Sequence, residues 1–283
     1  MFHRVCIVGI GLIGGSFGLA LKKHGLAREI VGVARKQSSV DQAVAVGACD
    51  FGTSNLIEAA TGADLVFLAA PVGQMRAICE QIAPVIAPHA LVTDAGSTKA
   101  QIVAECEPIF AQKAHFLGGH PMAGSEKVGA SAARTDLFQG ATWILTPTSQ
   151  TDSNSLEMVR DLVEHFGAKP LFLHPDLHDE LLAVTSHLPH LTAAALVHQF
   201  SKSGSKNPQI SQLIAGGWRD STRIAAGSPE MWRDICLANR DAIAAALSQL
   251  VDELTQLSQT LREPRPDALL QWFEDAATER KKF

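Results

Sequence analysis

A doubly wound α/β domain followed by an all-α domain is the fold class this sequence predicts, on three observations. The apolar run Val5–Val8 leads directly into Gly9, Gly11 and Gly14, a G-x-G-x-x-G pattern that opens a helix. Strand-like apolar runs and helix-like stretches then alternate as far as His174, the order that βαβ units and a mostly parallel sheet require. Beyond His174-Pro175 the strand signals stop and the pattern is almost entirely helical. The expected division is an α/β domain over residues 1–174 and a helical domain over residues 175–283.

The first elements carry a mechanism. Val5–Val8 reads as a buried parallel strand. Gly9 permits a tight turn, Gly11 lets backbone approach a pyrophosphate, and Gly14 lets the helix pack close on the strand. That helix runs from Leu12 and Ile13 through Phe17, Leu19, Ala20 and Leu21 to Lys22, Lys23 and a stopping Gly25. Its first N–H groups and partial positive charge suit phosphate. Ile30–Val33 makes the second strand, and the strand–turn–helix–strand context separates this stretch from a glycine-rich turn without a ligand. The first domain is therefore read as a Rossmann dinucleotide-binding domain.

The end of the second strand bears on which dinucleotide. An NAD site places Asp or Glu here for the ribose 2′-hydroxyl. This chain has Ala34-Arg35-Lys36-Gln37-Ser38, two cations and a hydroxyl with no acid to repel a 2′-phosphate. NADP is the expected cofactor, with NAD the weaker one. A second reading gives Ser38 a structural task, capping a helix over Val40–Val46 through a capping box with Asp41. The cofactor-binding set is Gly9, Gly11, Leu12, Ile13, Gly14, Arg35, Lys36 and Ser38, joined by Ala70 and Pro71 at the end of the next strand.

That next strand is Asp64–Ala70, stopping at Pro71. Helix is expected over Gly73–Ile82, strand over Ala90–Asp94, and helix again from about Lys99. Phe116–Gly118 and Trp143–Thr146 read as strands, Ser153–Phe166 as an amphipathic helix and Leu171–Leu173 as a last short strand. In the second half, Leu177–Phe200 is helical and interrupted by Pro189, Ser201–Pro208 is a polar loop, and Ser228-Pro229-Glu230 is a helix start. One helix is expected from there to Leu261, ended by Arg262–Pro266, with a final helix over Ala268–Lys282. The long helix carries more apolar positions than one stripe requires, which points to a homodimer built on the second domain.

Composition narrows the function classes. The chain has 283 residues, 46% of them hydrophobic, enough for two cored domains. Its net charge of −5 offers no nucleic-acid surface, so charge for an anionic cofactor must be local. Five scattered cysteines without C-x-x-C read as reduced thiols, no apolar run is long enough to span a bilayer, and no leader precedes the first strand. The expectation is a cytoplasmic protein, without a fused regulatory domain and without nucleic-acid or membrane partners.

Four stretches could do chemistry. Gly118-Gly119-His120-Pro121-Met122-Ala123-Gly124-Ser125-Glu126 follows a strand, so His120 should emerge at the carboxyl edge of the sheet, where ligands bind in this fold. Glycines beside it would allow a substrate close; a turn holding a buried, backbone-bonded His is the alternative. His187-Leu188-Pro189-His190 sets two imidazoles on one helix face, near His174 and His178. Zinc there lacks a third ligand at suitable spacing, so no metal is expected. Gly216-Gly217-Trp218-Arg219-Asp220-Ser221-Thr222-Arg223-Ile224-Ala225, followed by Pro229, Met231 and Trp232, puts two arginines beside small residues, as a carboxylate-bearing substrate needs, or as a solvated inter-helix loop has. In Asp94-Ala95-Gly96-Ser97-Thr98-Lys99, Ser97 either caps the next helix or bonds a catalytic His.

Together these stretches resemble the prephenate/arogenate dehydrogenase family of tyrosine biosynthesis. The matching pieces are G-I-G-L-I-G-G-S, D-A-G-S-T-K, G-G-H-P-M-A-G-S-E, S-H-L-P-H, W-R-D-S-T-R-I-A and P-E-M-W-R-D-I, spread in family order from Val5 to about Arg240. The resemblance implies a Rossmann domain followed by a helical domain that dimerises. It also implies NADP-dependent oxidative decarboxylation of arogenate or prephenate, a dicarboxylate or amino-dicarboxylate ring substrate. His120 would take the proton of the ring C4 hydroxyl as hydride leaves C4. Ser97 would orient His120 or bond the same hydroxyl. Arg223, helped by His190, would hold a substrate carboxylate. Trp232 would border the substrate, and Glu126 would form part of the site entrance. A β-hydroxyacid dehydrogenase or imine-type reductase of the same fold usually relies on a lysine that Leu177–Phe200 lacks, and an NADP-sensing regulator would have no use for His120, His190 and Arg223 together.

Overall fold

The computed structural model describes residues 1–125, 127–263 and 265–282. Its first half alternates β1 (Phe2–Val8), α1 (Leu12–Lys23), β2 (Ala27–Val33), α2 (Gln37–Ala45), β3 (Phe51–Thr53), α3 (Leu56–Ala60), β4 (Leu65–Leu68), α4 (Met75–Ile82), β5 (Leu91–Asp94), α5 (Ala100–Phe110), β6 (His115–Pro121), β7 (Thr142–Thr146), α6 (Ser153–His165) and β8 (Lys169–Phe172). The strands form one sheet in the order β3-β2-β1-β4-β5-β6-β7-β8. The first six are parallel, β7 runs antiparallel to β6, and β8 is parallel to β7. The chain reverses its direction of winding between β1 and β4, which opens a crevice at their carboxyl ends.

Both sheet faces are covered, so the central strands are apolar on both sides. Ile7 and Phe67 face α1 and α6, where Phe17 stacks on Phe67 at 3.8 Å and Trp143, Phe138 and Phe166 close around them. Val8, Val66 and Leu68 face the opposite way, onto α4 and α5 through Ile78, Ile82, Ile102 and Phe110. The period-2 alternation along β1 and β4 divides the two sets.

The second half contains α7 (Pro175–Leu182), α8 (Leu188–Gly204), α9 (Gly216–Thr222), α10 (Pro229–Ala238), α11 (Arg240–Arg262) and α12 (Pro266–Arg280). Its buried apolar cluster is small, centred on Ala183, Ile243 and Ala246. Leu247, Val251, Leu254 and Leu261, a row along one side of α11, are exposed, as are Leu270 and Phe273 of α12.

Several local expectations are corrected. The helix expected from Ser228 to Leu261 is two helices, broken at Asn239. The Asn239 amide donates to the carbonyl of Asp179 at 2.7 Å, an attachment that fixes the bend. Helix α8 continues through Ser201 to Gly204, so the polar loop is shorter than expected. Strand β3 and helix α3 are additional to the expected elements. Helix α2 begins at Gln37 with Lys36 at its cap position and no side-chain cap, so Ser38 lies inside the first turn. Ser97 does not cap α5: the N–H groups of Lys99 and Ala100 donate instead to the Asp179 carboxylate, 2.7 and 2.9 Å away.

Candidate active site

A cleft of about 600 Å³ lies at the carboxyl ends of β1, β2 and β4. The glycine turn forms its floor. Gly9 has φ +95°, and a Cβ there would fall 2.4 Å from the Ala69 carbonyl oxygen. A Cβ on Gly14 would fall 2.2 Å from the carbonyl oxygen of Gly9, so α1 can seat against the turn only with glycine at that position. Gly11 has nothing within 4 Å of its Cβ position and borders the cleft, which leaves its backbone open to a ligand. The first turn of α1 carries neither a side-chain cap nor an acid, so its N–H groups are available to an anion.

Arg35 and Lys36 stand on the cleft wall beside the hydroxyl residues Ser39 and Ser54, and no carboxylate lines it among the described residues. Ala70 and Pro71 border it as expected. Ser38 is exposed and off the wall, one position from Ser39, which takes its place. Leu12, Ile13 and Gly14 begin α1 behind the turn and do not line the cleft. Gln74, at the end of a 3-10 turn before α4, and the Val128–Ala130 segment, which leads into another 3-10 turn, also border the cleft; neither carries a sequence motif that marks it. A preformed glycine floor, free helix N–H groups and a cationic rim fit a dinucleotide.

His120 lies within β6 near its carboxyl end, paired with Ile144 of β7, rather than in a loop after the strand. The glycines before it serve packing: a Cβ on Gly118 would fall 2.4 Å from Thr146 Oγ1, and one on Gly119 would fall 2.7 Å from the Asp94 carbonyl oxygen. They let neighbouring strands close on β6, which corrects the expectation that they admit substrate. His120 as a residue keeps 8% exposure. Its Nδ1 meets Nε2 of His178 at 2.9 Å, and His178 Nδ1 meets Asp179 Oδ1 at 2.7 Å.

Beneath this chain sits a fully buried ion pair between Lys99 and Asp94. Lys99 Nζ also donates to the Gly119 carbonyl at 2.9 Å, and Asp94 accepts the N–H groups of Gly96 and Gly119 at 2.7 and 2.9 Å. Every charge is hydrogen-bonded, the condition under which a buried pair is tolerated. Burial first, then His178, Lys99 and His187, holds the His120 imidazole well below its ordinary pKa. His178 is lowered by burial too, although Asp179 pulls the other way.

The third part of the site grows from a π-helical turn, Ala183–His187, that feeds α8 just before Pro189. Proline lacks the N–H that would continue an α-helical ladder, and the wider turn absorbs the defect. His187 accepts from the Asn239 amide at Nδ1, 3.2 Å, and burial lowers its pKa to about 4. His190 stacks on Trp232 with ring centroids 3.5 Å apart. Gly227 lies against both rings: a Cβ there would sit 2.8 Å from Trp232 Nε1 and 3.0 Å from His190 Cε1. Arg223 opens the short 3-10 turn Arg223–Ala226 that packs on α8 and leads to Gly227; its side chain is exposed and has no ion pair among the described residues. Arg219 is exposed on α9.

Contacts thus run from His120 through His178 and Asp179 to Asn239, His187, Trp232 and His190. Ser97 sits half-buried in the loop after β5, its backbone beside His187, and His120 Nδ1 bonds His178 rather than Ser97. His174 stands apart, exposed at the cap of α7. Glu126 lies outside the described residues. The sequence places His178 only near the other histidines and does not single out Asp179; the contact of His178 with His120 spans 58 residues, and the only hint is a histidine beside an acid at the start of the helical half.

Two family models match the chain, "Prephenate dehydrogenase, nucleotide-binding domain" over residues 17–171 and "Prephenate dehydrogenase, dimerization domain" over residues 174–275. A prephenate dehydrogenase of Bacillus subtilis is 36% identical over 277 residues, covering 98% of this chain and 75% of that protein. The crystal structure of prephenate dehydrogenase from Aquifex aeolicus in complex with hydroxyphenyl propionate and NAD+ aligns with a TM-score of 0.91 at 33% identity, over 100% of this chain and 98% of the other. Synechocystis arogenate dehydrogenase aligns with a TM-score of 0.83 at 31% identity, over 99% of each chain.

Proposed function

Because this chain belongs to the prephenate dehydrogenase family, we propose that it oxidises arogenate or prephenate with NADP+ and releases the ring carboxylate as CO2. At the coarser level it is a nicotinamide-dependent oxidoreductase of the prephenate/arogenate type. Among the described residues no helix is long and apolar enough to cross a membrane.

The observation that carries the reading is His120: a buried, neutral imidazole with one nitrogen engaged, at the same carboxyl sheet edge as the dinucleotide cleft. Bound nicotinamide supplies the hydride acceptor. His120 takes the C4 hydroxyl proton as hydride leaves C4, so the carbon becomes a carbonyl. The electron pair of the bond between ring and carboxylate then enters the ring as CO2 departs, and aromaticity makes the step irreversible. Ser97, whose hydroxyl has no partner among the described residues, bonds the C4 oxygen in this reading. Arg223 holds a substrate carboxylate beside His190 and Trp232, with a fork geometry suited to paired bonds. Arg35 and Lys36, with Ser39, take the 2′-phosphate of NADP.

Residues 1–174 form the cofactor domain, and residues 175–283 supply the substrate side and the homodimer. The test is direct: purified protein with arogenate or prephenate and each cofactor, followed at the reduced-nicotinamide absorbance. NADP+ should be reduced faster than NAD+ at low concentration, with CO2 released in equal amount. Reduction with neither ring acid would overturn the substrate assignment, and equal rates with both cofactors would overturn the NADP assignment.

A further inference from the structure

The hydrogen-bond chain behind His120 has a direction. Asp179 is a carboxylate and can only accept, so His178 Nδ1, 2.7 Å from Oδ1, carries a proton. His178 is fully buried and its pKa is lowered by that burial, so its other nitrogen, Nε2, is bare. A bare Nε2 facing His120 Nδ1 at 2.9 Å accepts, so His120 carries its proton on Nδ1. The neutral ring then has its lone pair on Nε2, which has no hydrogen-bond partner among the described residues.

We infer that His178 and Asp179 are positioning residues that fix the tautomer of His120, making Nε2 the proton acceptor and preventing the ring from offering an N–H there. The inference rests on the base role given to His120 above. Neither residue touches substrate; both act through the ring of His120.

Asp179 is itself held rigidly. Its carboxylate takes the backbone N–H groups of Lys99 and Ala100 from the sheet domain, and its carbonyl takes the Asn239 amide from the helical half. The nearby cation cannot cancel it, because Lys99 Nζ is committed to Asp94 and the Gly119 carbonyl. One negative charge therefore remains for the His120–His178 pair. When His120 takes a proton at Nε2, the imidazolium keeps its Nδ1–H bond to His178, and Asp179 offsets the new charge through that ring. The charged and titratable groups that face His120 are His178 and Asp179 from α7, Asp94 from the end of β5, Lys99 from the cap of α5, and His187 from the π-helical turn. The acid at the far end belongs to the helical half and the base to the sheet domain, so the base acquires its tautomer only when the two halves are docked.

The test uses the intact protein with 15N-labelled histidine. In the wild type, His120 should show a protonated Nδ1 and a bare Nε2 near neutral pH. His178→Phe removes the acceptor: this tautomer preference should vanish and kcat should fall on the order of 10²-fold, with KM for both substrates within about twofold. His178→Gln can place its amide oxygen where Nε2 stood while losing the link to Asp179. It should keep the tautomer, recover kcat to within about tenfold of wild type, and move the acid limb of kcat to lower pH. A wild-type His120 protonated on Nε2, or a His178→Phe protein with wild-type kcat, would overturn the inference. The NMR readout needs no turnover: inactivity toward both ring acids with the stated tautomer would count against the dehydrogenase reading and leave the tautomer assignment standing.

Discussion

In the sheet domain Phe17, Phe67, Trp143 and Phe166 meet in a core that leaves each of them buried, whereas in the helical half Leu247, Val251, Leu254 and Leu261 lie exposed along α11 over a cluster of only three buried residues. The chemistry divides the same way. The cofactor cleft is made largely of backbone, with Gly9 and Gly14 crowded into place by their neighbours. The substrate side proposed above rests on exposed Arg223 and on a stacked His190–Trp232 pair that Gly227 barely accommodates. One half is finished by its own packing. The other leaves apolar surface uncovered, and the family model matching residues 174–275 is a dimerization domain; the α11 row is the surface we propose a second copy of the chain covers. His120 stands at the seam, on a strand of the first half and oriented by a helix of the second.

The largest effect should come from breaking the unfinished half. Leu254→Asp puts a charge into a symmetric contact twice. With about 2 kcal/mol of burial lost per protomer, the dimer constant should weaken on the order of 10³-fold. Light scattering at micromolar concentration should then report monomer, and kcat/KM for the ring substrate should fall while NADP+ affinity holds. A variant that stays dimeric would move the interface off α11.

At the seam, His120→Asn should lower kcat on the order of 10²-fold or more, with KM for both substrates little changed. The pH sign follows from the neutral form being the active one. Burial lowers the His120 pKa below its ordinary 6.5, so kcat should rise with pH along a limb lying below 6.5 and stay flat above it. A limb centred above 6.5 would contradict the burial of the ring.

Legibility in the sequence follows the same division. The Gly9–Gly14 turn, Arg35 and the alternating strands were readable because each is a local pattern with a local cause. Strand β3 escaped because it has three residues, one of them an exposed Phe51 and one a glycine. The break at Asn239 escaped because no Gly or Pro marks it; its cause is a bond to Asp179, 60 residues away. Ser39 and Ser38 are indistinguishable by type, and only helix phase puts one on the wall. The partner of His120 is 58 residues distant, in the other half, and local spacing carries no information about such a contact.

Arg223 and Arg219 sharpen the comparison inside the helical half, since both are exposed and four residues apart. Arg223→Lys keeps the charge and loses the fork, so substrate KM should rise about tenfold while cofactor KM is unchanged. Arg219→Lys should change it by less than about twofold. If steady-state kinetics give the two variants equal effects, Arg223 does not clamp the carboxylate.

The smallest effect should fall in the finished half. Arg35 lies on the rim of a cleft whose floor is backbone, so most of the dinucleotide's contacts survive its removal. What Arg35→Ala takes away is one exposed pairing with the 2′-phosphate. In water such a pairing is worth about 1 kcal/mol, so KM for NADP+ should rise about fivefold. NAD+ has a hydroxyl at that position and gains nothing from a guanidinium, so its KM should stay within about twofold of wild type. Lys36→Ala should act in the same direction and add to it. Raising salt should weaken NADP+ binding to the wild type more than to Arg35→Ala, because the lost contact is the screened one. If KM for both cofactors rises equally, Arg35 supports the adenosine rather than reading the phosphate, and the preference for NADP+ must come from elsewhere on the wall, with Ser39 the next residue to change.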